Sequence, residues 1–136
     1  MAQSPRSPSN QSITFIRKTI GFADIDTVVT LGVVPIGAVV MDAGVIVSTA
    51  FNSATSDTLL IGTAADPNGF ATLLDLTTAG KIVADELATS DDLGPYAAAT
   101  TLNCTLAGTG TAPTAGSAEV YVTFIHDEDA QGIDGG

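Results

Sequence analysis

Apolar and polar positions alternate along most of this chain. From Ile13 the stretch ITFIRKTIGF sets Ile13, Phe15, Arg17 and Thr19 against Thr14, Ile16, Lys18 and Ile20, the two-residue period of a β-strand. It predicts a first strand at the edge of a sheet. Near the other end AEVYVTFIH alternates in the same way, with Val120, Val122 and Phe124 facing one side and Tyr121, Thr123 and Ile125 the other. Both of its faces are apolar, so a strand covered on both sides is expected, the second cover being either a sandwich core or a subunit contact.

Between these, strand patterns fall near residues 27–34, 36–42, 44–51, 57–63, 70–77 and 97–106. Turn signals separate them at NSATSD, ADPNG, LGP and GTGTAPTAGS. The long apolar run over residues 28–50 contains Pro35 and Asp42 and lacks flanking positive charge. It therefore reads as two buried strands joined at Asp42-Ala43-Gly44, not as a membrane span. One segment competes for helix: Phe70, Leu73, Leu74 and Thr77 have helical spacing and KIVADELA holds good helix formers, so a short helix or helical turn is placed in residues 80–90.

About eight short strands in one body predict an all-β fold, a single-domain β-sandwich of jelly-roll type. An immunoglobulin-like sandwich is less supported, because its Cys, Trp, Cys hallmark is missing. The division expected is a flexible N-terminal arm over residues 1–12, the sandwich over 13–127 and an acidic, Gly-containing tail over 128–136.

Composition sharpens this picture. Trp is absent and there are five Phe and two Tyr, so the core is expected to be aliphatic. Charged residues make up 14%, which leaves the surface to Thr, Ser, Asn, Gly and Ala and suits packing against copies or partners. The net charge of −11 is uneven: residues 1–18 carry Arg6, Arg17 and Lys18 and no acid, while all fifteen acids and only Lys81 follow. An acidic body does not neutralise phosphates, so no nucleic acid is expected as partner, and the basic arm is directed at an acidic protein surface. The opening MAQSPRSPSNQS has no apolar h-region, so a secretory signal is not expected.

No catalytic set is found. His126 is the one histidine, at a strand end without a G-x-S-x-G elbow, and reads as a surface residue. Cys104 stands alone, which excludes an internal disulfide and a zinc cluster, and its alternating neighbours make it a buried small hydrophobe. The acid pairs Asp24/Asp26, Asp85/Glu86, Asp91/Asp92 and Asp127/Asp129 lack the aromatic cleft that a glycosidase wants. Asp127, Asp129, Gln131 and Gly132 match positions of a calcium loop, but no flanking helix is expected and the twelfth position falls beyond Gly136, so the segment reads as a solvated tail. Weak calcium binding at Asp66 in the ADPNG turn is kept as a side possibility. GTGTAPTAGS lacks the Gly-Lys-Ser/Thr ending of a phosphate loop. No catalytic, cofactor or metal residue is therefore assigned.

The order of the pieces carries one resemblance. VPIGAVVMDAGVIVSTAFN, then DTLLIGTAADPNGFAT, the Gly-Thr-rich loop and a closing AEVYVTFIHD resemble small jelly-roll virion structural proteins of tailed bacteriophages, over about residues 13–127. The resemblance implies a capsid decoration (cement) or head-fibre role, made in the host cytoplasm and carried on the capsid surface. It further implies homotrimers seated on the major capsid protein, with no membrane partner and no cofactor. The basic arm, through Arg6, Arg17 and Lys18, is the expected capsid contact. The alternative left open is a tail- or fibre-associated module binding host glycans through its Thr-rich loops, with Tyr96 as its loop aromatic.

Overall fold

The computed structural model describes residues 11–127. Most of the arm, with Arg6, the whole acidic tail and the calcium-loop-like positions Asp129, Gln131 and Gly132 lie outside them. Eight strands form: β1 (Gln11–Gly21), β2 (Val28–Val34), β3 (Val39–Thr49), β4 (Ser56–Thr63), β5 (Ala71–Asp75), β6 (Gly80–Val83), β7 (Thr100–Thr109) and β8 (Ser117–Asp127), with one 3₁₀ turn at Phe22–Asp24. They make two four-stranded antiparallel sheets, ordered β1-β8-β3-β6 and β2-β7-β4-β5. The two sheets form a β-sandwich. Only β4 and β5 are consecutive neighbours within a sheet; every other connection crosses from one layer to the other.

The alternation in the sequence is what closes the sandwich. Val120, Val122 and Phe124 of β8 and Leu102, Cys104 and Leu106 of β7 are all buried, each set at every second position of its strand. Between them lie Val45, Leu59 and Ile61, with Phe51 and Phe70 as the large fully buried rings. The core is aliphatic, as the shortage of aromatic residues requires. The other face of β8, with Tyr121, Thr123 and Ile125, is half-buried with no second layer over it among the described residues. β1 lies at the edge of its sheet.

Two expectations are corrected. Asp42-Ala43-Gly44 is not a turn: residues 39–49 run as the single strand β3 and pair with β8 from Val39↔Ile125 to Thr49↔Ser117. The pairing shifts between Val40 and Asp42, so Met41 is the extra residue of a bulge and its side chain is 57% exposed. No helix forms in residues 80–90 either. Gly80–Val83 pairs with the free edge of β3, and a single turn follows in which the Thr89 amide donates to the Glu86 carbonyl at 3.1 Å. An available strand edge outweighs the weak helical preference of four residues.

Candidate functional site

The two ends of the sandwich differ. At one end the β3–β4 and β7–β8 loops, NSATSD and GTGTAPTAGS in the sequence, are tied to each other. Asn52 Oδ1 accepts from the amides of Thr114 at 2.8 Å and Ala115 at 3.0 Å, and its Nδ2 donates to Thr114 Oγ1 at 3.1 Å. The Ala54 amide adds a bond to the Thr111 carbonyl at 3.0 Å. One asparagine thus converts two polar loops into a fixed cap.

At the other end the ADPNG turn and the β6–β7 connection enclose a polar cleft of about 330 Å³, lined by Asp66, Asn68, Glu86, Ser90 and Asp91 among others. Asp92 and Asp66 converge over Gly69, where an added Cβ would lie 3.0 Å from Asp92 Oδ2 and 3.1 Å from Asp66 Oδ2. A side-chain hydrogen bond with Asp66 pushes the Asp92 carboxyl above the usual carboxylate range, with burial and the charges of Asp66 and Asp91 adding to it. Carboxyl groups in direct contact are closer than the roughly 5–10 Å that glycoside hydrolysis uses. Among the described residues no three His, Cys, Asp or Glu side chains surround a point where one metal ion would fit.

Four other acids act as turn caps. Asp24 Oδ2 accepts the Gly21 amide at 2.9 Å, Asp26 Oδ1 the Gly108 amide at 3.2 Å, Asp75 Oδ1 the Thr77 amide at 2.8 Å and Asp85 Oδ1 the Thr72 amide at 2.9 Å. Asp57 ends the NSATSD turn signal, which places it at a turn, yet it is fully buried. Cys104 is buried in the core, and burial pushes its thiol up to about 12, with the Asp24 charge adding and Lys18 opposing. His126 is half-buried, its ring 5.8 Å from that of Phe124. Tyr96 packs against the core and its hydroxyl donates to the Asp92 carbonyl, so it is not an open stacking platform.

The basic candidates separate. Arg17 and Lys18 lie within β1, and both are exposed. Arg17 stands on the outer face of its sheet, with Nε 2.9 Å from Glu119 Oε1. Across that face Lys81 sits 5.5 Å from the centre of the Tyr121 ring. Five of the exposed large apolar side chains come from strands of this sheet: Ile13, Phe15, Met41, Ile46 and Val83. The face therefore combines apolar groups, an aromatic ring and paired charges.

A chain of a viral capsid is similar in fold. It comes from the structure described as the cyanophage Pam1 capsid asymmetric unit and superposes with a TM-score of 0.66 over 93% of this chain and 93% of that chain, at 18% sequence identity. No family model matches this sequence, and no curated protein matches it. The shared property is the fold. Equal coverage of the two chains makes the Pam1 chain about as long as this one, so the likeness spans whole chains.

The sequence had singled out Arg17 and Lys18 from charge alone. It had not indicated that Asp66 and Asp92, distant in the chain, would meet; no local pattern carries that pairing.

Proposed function

We propose that this chain is a non-enzymatic structural protein of a bacteriophage virion, a capsid decoration (cement) protein that binds the major capsid protein on the assembled head as a homotrimer. The observation that carries this is the whole-chain likeness to a chain of a phage capsid asymmetric unit. The strand order supports a jelly roll, since β1-β8-β3-β6 facing β2-β7-β4-β5 is the arrangement two interleaved Greek keys produce.

A protein that binds the assembled lattice and not its free subunits stabilises the shell by mass action. A threefold seat multiplies weak contacts, because the second and third arms bind intramolecularly. In this reading the outer face of β1-β8-β3-β6 meets the capsid, with Arg17, Phe15 and Ile13 as its anchors; Lys18, which alternates with Arg17 and pairs with Val120, and Arg6 of the arm remain contacts proposed on charge alone. Aromatic and Arg side chains are the residue types that carry binding energy at such contacts.

The test is co-sedimentation of purified protein with expanded heads of the phage that encodes it. Saturable occupancy at a fixed number of copies per head is expected. Failure to bind heads, with retention on tails, host cells or cell-wall glycans, would overturn the decoration role in favour of the host-surface module.

A further inference from the structure

The outer face of β2, β7 and β4 carries no charged side chain. Its positions are Val28, Thr30 and Val33 on β2, Thr101, Asn103, Thr105 and Ala107 on β7, and Thr58 and Leu60 on β4, set in rows such as Val28↔Thr105↔Leu60 and Thr30↔Asn103. The three strands contain one acid, Asp57, and it points into the core with no exposure. In a chain of net charge −11 this is a distinctive patch.

We infer that this charge-free face is one side of the contact between copies of the chain. Several observations select a second copy as its occupant. Two acidic bodies repel wherever their carboxylates approach, and Asp24, Asp26, Asp66, Asp85, Asp91 and Asp92 lie in the connections at the two ends of the sandwich. Approach through β2, β7 and β4 brings no like charges together, and Asp75, paired with Thr58 from the neighbouring β5, is the one exposed acid at the margin. Its Thr, Val and Ala side chains are short or β-branched and lose little rotamer freedom when covered, unlike the Lys and Glu of an ordinary exposed sheet.

Two features mark the face as incomplete in the single chain. Val28, Val33 and Leu73, at its two margins, are 62%, 58% and 62% exposed. Leu73 also has φ 57, a left-handed backbone that a leucine adopts only at a cost, so an exposed apolar side chain is held in a strained conformation. In the middle, Asn103 Oδ1 is closed off from water and has no partner among the described residues. With strands about 4.8 Å apart and about 3.3 Å per residue, the three-stranded face covers on the order of 400 Å². That is about half of the roughly 800 Å² that each partner contributes to a standard interface, the rest falling to the flanking loops and strand edges.

This inference rests on the homotrimer in the proposed function but not on the capsid, so it is tested without heads. Oligomeric state is measured by analytical ultracentrifugation on the full chain and on Thr105→Glu and Thr105→Lys, with Ala88→Lys on the exposed β6–β7 connection as control. Circular dichroism and thermal unfolding verify that each variant is folded. The wild type and Ala88→Lys are expected to be oligomeric, and both Thr105 variants to raise the dissociation constant by about 100-fold or more, since either sign of charge is buried unpaired. If the wild type sediments as a monomer, or if folded Thr105 variants remain oligomeric, the inference is overturned. Oligomeric Thr105 variants that no longer bind heads would assign the face to the capsid instead, leaving the decoration role standing.

Discussion

The buried carboxylate of Asp57 holds Ser53 twice, accepting its amide at 2.8 Å and its hydroxyl at 2.5 Å. Gly108 leaves the room for this, since a Cβ there would lie 2.9 Å from Asp57 Oδ1. The acid ties the β3–β4 loop to the first rung of β4. Asp57→Ala removes two charge-assisted bonds and is expected to cost about 2–4 kcal/mol in urea unfolding, with Asp57→Asn costing less because an amide oxygen still accepts.

Gly116 is set against Phe51 in the same region. Its φ is +150, and an added Cβ would sit 2.5 Å from Phe51 Cγ, in a ring that is 2% exposed. Gly116→Ala is therefore expected to lower stability by about 1–3 kcal/mol through overpacking, read as a fall in Tm.

Two surface acids predict opposite pH dependences. The folded-state pKa of Asp92 is raised above 3.8 by Asp66, so its contribution to stability is present at low pH and is lost as pH rises through the folded value. Asp92→Asn is expected to raise Tm at pH 7 and to have no such benefit at about pH 3. Asp75 is lowered below 3.8 by the Thr77 hydroxyl and amide, so its contribution is present at neutral pH and is lost as pH falls through the folded value. Asp75→Asn is expected to cost a few tenths of a kcal/mol at pH 7 and progressively less in acid, both groups being well solvated. Thermal scans from pH 2 to pH 8 distinguish the two slopes.

Arg17 serves to separate binding from folding. Its ion pair with Glu119 is solvent-exposed, with 67% of the Arg17 side chain accessible. Arg17→Ala is expected to shift stability by less than about 0.5 kcal/mol while lowering head occupancy several-fold. Deletion of residues 1–10, which spares all of β1, is expected to reduce occupancy further and leave the fold intact. Unchanged occupancy in both would remove the basic segment from the contact.

Cys104 is expected to be chemically silent in the native state. Its complete burial and a pKa near 12 leave almost no accessible thiolate at pH 7. A thiol reagent should label it no faster than the chain unfolds, measured by mass spectrometry against unfolding rates.

The fold class was legible because the sandwich depends on a period of two, which Leu102, Cys104 and Leu106 or Val120, Val122 and Phe124 display openly. The strand number agreed through two compensating differences, since residues 36–51 were divided at a turn that is absent while β6 falls in the 80–90 segment, where a short helix or helical turn was placed and no strand was expected. The bulge at Met41 explains the first: one extra residue breaks the alternation as a turn would. β6 has only four residues, GKIV, and owes its conformation to the edge of β3, so nothing local announces it. Asp57 was misplaced because an acid at an inward position looks polar in the pattern, and only the Ser53 contacts show why it is tolerated. The candidate surfaces were legible as charge and composition; their geometry was not, because faces are assembled from strands remote in sequence.

The first and last described strands are antiparallel neighbours, paired from Gln11↔Asp127 to Gly21↔Ser117. Tension applied between the two ends therefore opens this ladder one rung at a time, as a strip is peeled, and does not shear its rungs together. The molecule is soft when pulled by its ends and stiff when squeezed between its layers. A load that enters through the faces of the sandwich meets the packed core, and that same load carried by a tether at the termini would unfasten β1 first.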